Sequence, residues 1–225
     1  MNDYLSVVIP KVGEVLEDED NYYSLVTMLT AMPIDLMVQL DSIGVDFTQI
    51  NEYELFLYLF SSIQQMDTHL IFGDLDLTKF QLGVNEQNGQ VLFEDPDTGI
   101  RIDRAIHYKI ATILRKLHGL ERDNRTPGND EAKSYMLERA KRKMARHANR
   151  ATDSQLEKYI VSLVNTQEFK YDFEGTKELS IYQFNQSLHQ VIHKVDYSNR
   201  MIGVYSGTVN ASEIPKENLT WIKTK

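Results

Sequence analysis

His189 and His193 stand four residues apart, a spacing that puts two imidazoles on one helix face and lets them share zinc or another borderline metal. The stretch reads His189-Gln190-Val191-Ile192-His193. Gln190 sits where a zinc protease carries its glutamate base, so that reading fails. Asp196 follows, but nothing names a third ligand. Solvent-facing or interfacial histidines are the plainer reading, with a metal-dependent enzyme at this pair as a second alternative to the leading function. Carboxylates are dense over residues 1–100, as in Glu17-Asp18-Glu19-Asp20 and in Asp74 with Asp76, and density alone supplies such pairs. Asp95-Pro96-Asp97-Thr98-Gly99 lacks the further oxygen ligands and terminal glutamate of a calcium loop and reads as a turn. No G-x-x-x-x-G-K-S/T, G-x-G-x-x-G or G-x-S-x-G motif occurs. The chain has no cysteine, which removes disulfides and thiolate metal sites. No catalytic residue, cofactor or metal ligand is assigned, and the expectation is a protein that is not an enzyme.

The cations are more informative. Arg139, Arg142, Arg146 and Arg150 recur every three or four residues and make one stripe of a helix expected over 131–150, widened by Lys141 and Lys143. Met136, Ala140, Met144 and Ala148 make a second, apolar stripe. Such a helix could lie along a phosphate backbone and release counterions. Yet only Tyr135 is near for base stacking, and the helix lacks the Trp, Phe and leucine run of a membrane-surface helix. A solvated face is the bland reading, and docking onto an acidic protein surface such as residues 14–20 of a neighbour is the leading functional one. It assigns partner contacts to Arg139, Arg142, Lys143, Arg146 and Arg150 and leaves nucleic-acid binding by 131–150 as the alternative.

Charge along the chain points the same way. Residues 1–100 hold 2 Lys+Arg against 18 Asp+Glu, residues 101–150 hold 14 against 6, and the overall net charge is -9. Asymmetry of this size concerns partners more than fold, and it lets the acidic part face the basic part within one molecule or in a neighbouring copy.

The elements that must hold these residues follow from periodicity. Tyr22, Leu25, Met28, Leu29 and Met32 share a helix face behind the acids of 18–20. Pro33 ends that helix and admits a second, with Leu36, Met37, Leu40 and Ile43 inward and Gly44 as its stop. Asn51 with Glu54 forms a capping-box pattern before Leu55, Phe56, Leu59, Phe60 and Ile63. Short strands are expected at 70–72, 80–84, 91–93 and 100–102, with a hairpin turn at Asn88-Gly89. Asp103 and Gly119 bracket a further helix. Residues 119–130 are loop-like. After the basic helix, Ser154 with Glu157 begins a helix with Leu156, Ile160, Leu163 and Val164 inward, and Ser180 with Gln183 begins another that runs to about His193 and is expected to bury Ile181, Phe184, Leu188, Val191 and Ile192. Phe169, Tyr171 and Phe173 alternate as a strand would, and Met201 to Tyr205 reads as another. The expected fold is α+β, mainly α: an acidic helical region (1–66), a β-meander with a helix (67–120), a loop or linker (121–130) and a basic helix with an α+β C-terminal region (131–225). Leu55 to Phe60, the longest apolar-rich stretch, is too short to cross a bilayer, and Met1 to Leu5 opens no signal peptide.

From Asp95 onward the order of features has a likeness. It runs Asp95-Pro96-Asp97-Thr98-Gly99-Ile100-Arg101-Ile102-Asp103, a helix ending in Arg115-Lys116, a polar loop and a basic helix. Leu163-Val164-Asn165-Thr166, Phe169-Lys170-Tyr171, Ile181-Tyr182-Gln183-Phe184, Tyr205-Ser206-Gly207 and Leu219-Thr220-Trp221-Ile222 complete it. This resembles proteins encoded among the tail and neck genes of bacteriophages of Gram-positive bacteria. The likeness covers roughly the last 130 residues and rests on order, without a sharp motif. It implies a virion-assembly or structural protein, such as a tail-assembly chaperone or connector component. Its partners would be other phage structural proteins or copies of itself, with no membrane, in the host cytoplasm during assembly or in the virion. It transfers no functional residue.

Overall fold

The computed structural model describes residues 5–85, 89–147 and 154–222. The chain is α+β and mainly α, with ten α-helices and one three-stranded sheet among the described residues. It forms two compact units, one from 5–9 and 18–147, the other from 10–17 and 154–222.

In the first unit, helices α2 (Glu19–Thr30), α4 (Glu52–Ile63) and α6 (Arg104–His118) pack together. Their apolar spacings dictate this: Tyr22, Leu25, Val26 and Leu29 of α2 are buried, as are Leu55, Phe56, Phe60 and Ile63 of α4. The capping box of α4 forms as expected, with Asn51 accepting from Glu54 N while the Glu54 carboxylate accepts from Asn51 N. Asp103 caps α6 by accepting from Ile106 N, and Gly119 closes it in the left-handed region. Strands β1 (Gln81–Val84), β2 (Val91–Glu94) and β3 (Arg101–Ile102) form an antiparallel meander in the order β1-β2-β3. Phe93 of β2 stacks on Phe60, and the Tyr53 hydroxyl donates to the Val91 and Ile102 carbonyls, which fastens the sheet to α4. Asn88 of the expected hairpin turn lies outside the described residues, while Gly89 has φ +69° and its N–H donates to the Asn85 carbonyl.

A second apolar cluster holds Ala31, Ile34, Leu40, Phe47 and Leu55. It is built from the end of α2, helix α3 (Met37–Ser42) and α4, and Met136 packs on it. Pro33 lies in the turn before α3, not in its first turn, because the chain needs residues 33–36 to reverse. Ile43, expected inward, is exposed beyond the end of α3.

The second unit begins with helix α1 (Val12–Glu17), which sequence periodicity did not reveal. Val12 N donates to the Leu179 carbonyl and Ile181 N to the Pro10 carbonyl, so residues 10–12 lie beside 179–181. Val12 and Val15 are fully buried among the unit's apolar residues. The rest is α8 (Gln155–Val164), α9 (Phe173–Lys177) and α10 (Ile181–Tyr205). Leu156, Ile160, Leu163, Ile181 and Phe184 complete the core.

Three expected strands are absent. Leu70, Ile71 and Phe72 lie in the short helix α5 (His69–Phe72), all three buried. A run of three apolar residues carries no period, so burial fits either conformation. Phe169 and Tyr171 lie outside any strand and Phe173 starts α9, since Asp172 accepts from Gly175 N and caps a helix there. Met201 to Tyr205 is the last part of α10, which runs past His193 because no proline or left-handed glycine interrupts it before Gly207, at φ +76°.

Candidate functional site

The basic segment folds as helix α7 (Asp130–His147) in the first unit. Asn129 starts it, its side chain accepting from Ala132 N. Asp130 and Glu131 occupy the first turn, where they favour the helix dipole. Among the described side chains of α7, over 130–146, none is buried, and the helix lies on α3 by one face. Met136 contributes the apolar contact to the cluster around Leu40 and Phe47. Met144, further along the same stripe, is exposed.

Ion pairs with the acidic part flank that contact. Lys133 pairs with Asp46, and Lys141 Nζ lies 2.7 Å from Asp41 Oδ2. The Lys133 ammonium, with the backbone N–H and hydroxyl of Thr48, holds the Asp46 carboxyl down to about 2. Part of the charge asymmetry in the sequence is therefore answered inside this unit. Arg142 is engaged along its own helix, 2.8 Å from Glu138. Arg139, Lys143 and Arg146 are exposed and have no ion-pair partner among the described residues. They recur at i, i+4 and i+7, so one line of the helix carries three unanswered cations. Tyr135, 69% exposed, stands four residues before Arg139 on the same side. Arg150 lies outside the described residues.

The histidine pair lies on α10, half-buried. His193 Nε2 is 2.8 Å from the Thr220 carbonyl, and Gln190 Nε2 donates to the Trp221 carbonyl, so this side of the helix holds the C-terminal tail. Among the described residues, no three His, Asp or Glu side chains gather as a metal site requires. The Asp95 carboxylate accepts from Asp97 N and the Thr98 hydroxyl and closes the 95–99 turn. Asp76 likewise accepts from Thr78 N and its hydroxyl.

The buried polar groups of the first unit escaped sequence reasoning. Glu52 is buried at the start of α4, 2.6 Å from Arg115 and 2.7 Å from Arg122, and Arg115 also donates to the Thr30 carbonyl. His107 stacks on Phe56 at 4.2 Å, and burial drives its pKa down to about 4. Its Nε2 has no hydrogen-bond partner among the described residues. Burial also drives His118 to about 4, with its Nε2 3.0 Å from the Tyr22 hydroxyl. Both histidines are neutral at ordinary pH. Together these groups fix the packing of α2, α4 and α6. The one available signal was Arg115 and His107 falling on the helix face that also carries Ile110, Ala111 and Leu114.

Residues 147–224 match the model of a family described as the YomV second domain. YomV is a Bacillus phage-region protein, so the match associates this part of the chain with phage-encoded sequences. It begins at the last residue of α7 and takes in α8, α9 and α10, without α1. Neither the curated proteins nor the solved structures gave a match. Among the described residues no helix is long and apolar enough to cross a membrane.

Proposed function

We propose that this chain is a phage virion-assembly or structural protein of the tail or neck, acting without catalysis through protein–protein contacts in the host cytoplasm. The carrying observation is the line of Arg139, Lys143 and Arg146 on α7, without ion-pair partners among the described residues, beside Lys133 and Lys141, which have them. An acidic face of another phage protein, or of a second copy, complements that line and would be drawn to it by long-range attraction. The YomV match supports the phage setting.

The test is the triple reversal Arg139→Glu, Lys143→Glu, Arg146→Glu, made in the phage itself. These exposed residues contribute little to stability, so the variant folds. The yield of complete particles is expected to fall about tenfold or more, because like charges then meet across the contact. An unchanged yield defeats the proposal.

Tyr135 favours a second reading, since an exposed aromatic beside arginines can stack on a base of a single strand. In that case the purified chain binds DNA or RNA with an affinity that falls steeply with salt.

A further inference from the structure

Helix α10 is 25 residues long, yet only Ile181 and Phe184, in its first turn, are buried. Beyond them Leu188 is half-buried, and from Ile192 onward the same face is exposed among the described residues. Ile192 is 57% exposed, Val195 41% and Ile202 67%, and Asn199 is exposed between the last two. The tail borders this face at Gly203, where Val209 packs. It hydrogen-bonds to Gln190 and His193, which point to the other side of the helix at 100° per residue.

The spacing of the uncovered residues is specific. Leu188, Ile192, Val195, Asn199 and Ile202 follow one another by four, three, four and three residues, the a/d pattern of a coiled-coil seam. Leu188, Val195 and Ile202 take d, and Ile192 and Asn199 take a. A seam that meets another seam of its own kind in parallel sets a against a and d against d. Asn199 then faces Asn199 of the other copy and each amide satisfies its twin. In an antiparallel or heterologous pairing Asn199 would face an aliphatic side chain and lose its hydrogen bonds. The flanks permit the approach. Val191 and Ser198 carry no charge, Asp196 is paired with Arg200 of its own helix at 2.8 Å, and at Gly203 the flank is already filled by Val209 of the same chain. No like charges therefore meet across the seam.

We infer that the distal half of α10 is a self-association surface, pairing in parallel and in register with α10 of a second copy through Leu188, Ile192, Val195, Asn199 and Ile202. It involves no residue of α7 and goes beyond the docking proposed there.

The absence of cysteine from the chain makes the arrangement directly testable. In the full chain, Asn199→Cys is expected to oxidise to a covalent dimer, because parallel in-register pairing brings the two Cα atoms within disulfide reach. Gln186→Cys, on the opposite side of the helix, is expected to stay monomeric on a denaturing gel. Light scattering is expected to give a dimer for the unmodified chain and a monomer for Ile192→Glu with Ile202→Glu at unchanged helix content. Asn199→Ile is expected to hold together at greater dilution or to shift to a larger oligomer, since the buried polar pair limits both stability and stoichiometry. A monomer at about 100 µM, far above useful affinities, overturns the inference. So does a dimer that survives the double glutamate substitution, or one that cross-links at 186 and not at 199. None of these results touches the α7 variants, so the two proposals fail separately.

Discussion

α7 and α10 are the two longest helices of the chain, and each leaves a full face in water. The faces differ in kind. α7 exposes cations, and of these Lys133, Lys141 and Arg142 are matched by nearby acids. α10 exposes aliphatic side chains at heptad spacing, with Ile192, Val195 and Ile202 uncovered among the described residues. Water solvates an unpaired arginine at little cost, so the stripe on α7 is compatible with an isolated molecule and indicates a partner only through its alignment. An uncovered aliphatic seam is unfavourable in water and stronger grounds for expecting a partner. The modes of attachment differ as well. α10 is rooted by two fully buried side chains, α7 by one half-buried methionine and two ion pairs.

The contrast in attachment is testable by truncation. Phe184→Ala is expected to destabilise the second unit by about 3–5 kcal/mol, the cost of a core aromatic lost with its cavity. Met136→Ala in α7 should cost under about 2 kcal/mol, because half-buried methionine loses less transfer energy. Chemical denaturation followed by hydrogen exchange in each unit measures both, and equal losses would erase the distinction.

Acid should separate the two units next. His107 and His118, both in the first unit, hold pKa values of about 4 against an ordinary 6.5. Between those pH values the unfolded chain binds protons that the folded unit refuses, so stability is complete above pH 6.5 and declines as pH falls to 4. For His107, which is almost fully buried, the loss approaches about 3 kcal/mol. His107→Phe is expected to flatten that part of the profile, and an unaltered slope would show that this histidine is not what titrates.

The smallest effect belongs to the surface ion pairs. Lys141→Ala breaks an exposed pair with Asp41 and is expected to change stability by less than about 1 kcal/mol. A larger loss would mean that charge, more than Met136, holds α7 in place.

Much of the local structure was readable from short stretches. The Asn51/Glu54 and Ser180/Gln183 capping boxes, the Asp103 cap and the Gly119 stop were all legible, because a cap is made by residues three or four apart. The strands at 81–84, 91–94 and 101–102 were legible through their turns. Elements without such punctuation were not. The run at 70–72 lacked a period, and the last turns of α10 were hidden by β-branched and aromatic residues whose strand preference is weak evidence. For the candidate surface, the cationic spacing on α7 was visible in sequence, but its division into matched and unmatched cations required knowing that α3 lies beside it.

The sequence by itself determined the helical character, the caps and turns and the charge polarity, since each depends on neighbours within a few residues. Tertiary structure alone decided that residues 10–17 complete the core of 154–222, that Glu52, Arg115 and His107 are buried, and that the α10 seam is uncovered. Burial depends on what lies across space, and contacts between residues more than a hundred positions apart leave no period in the chain that makes them.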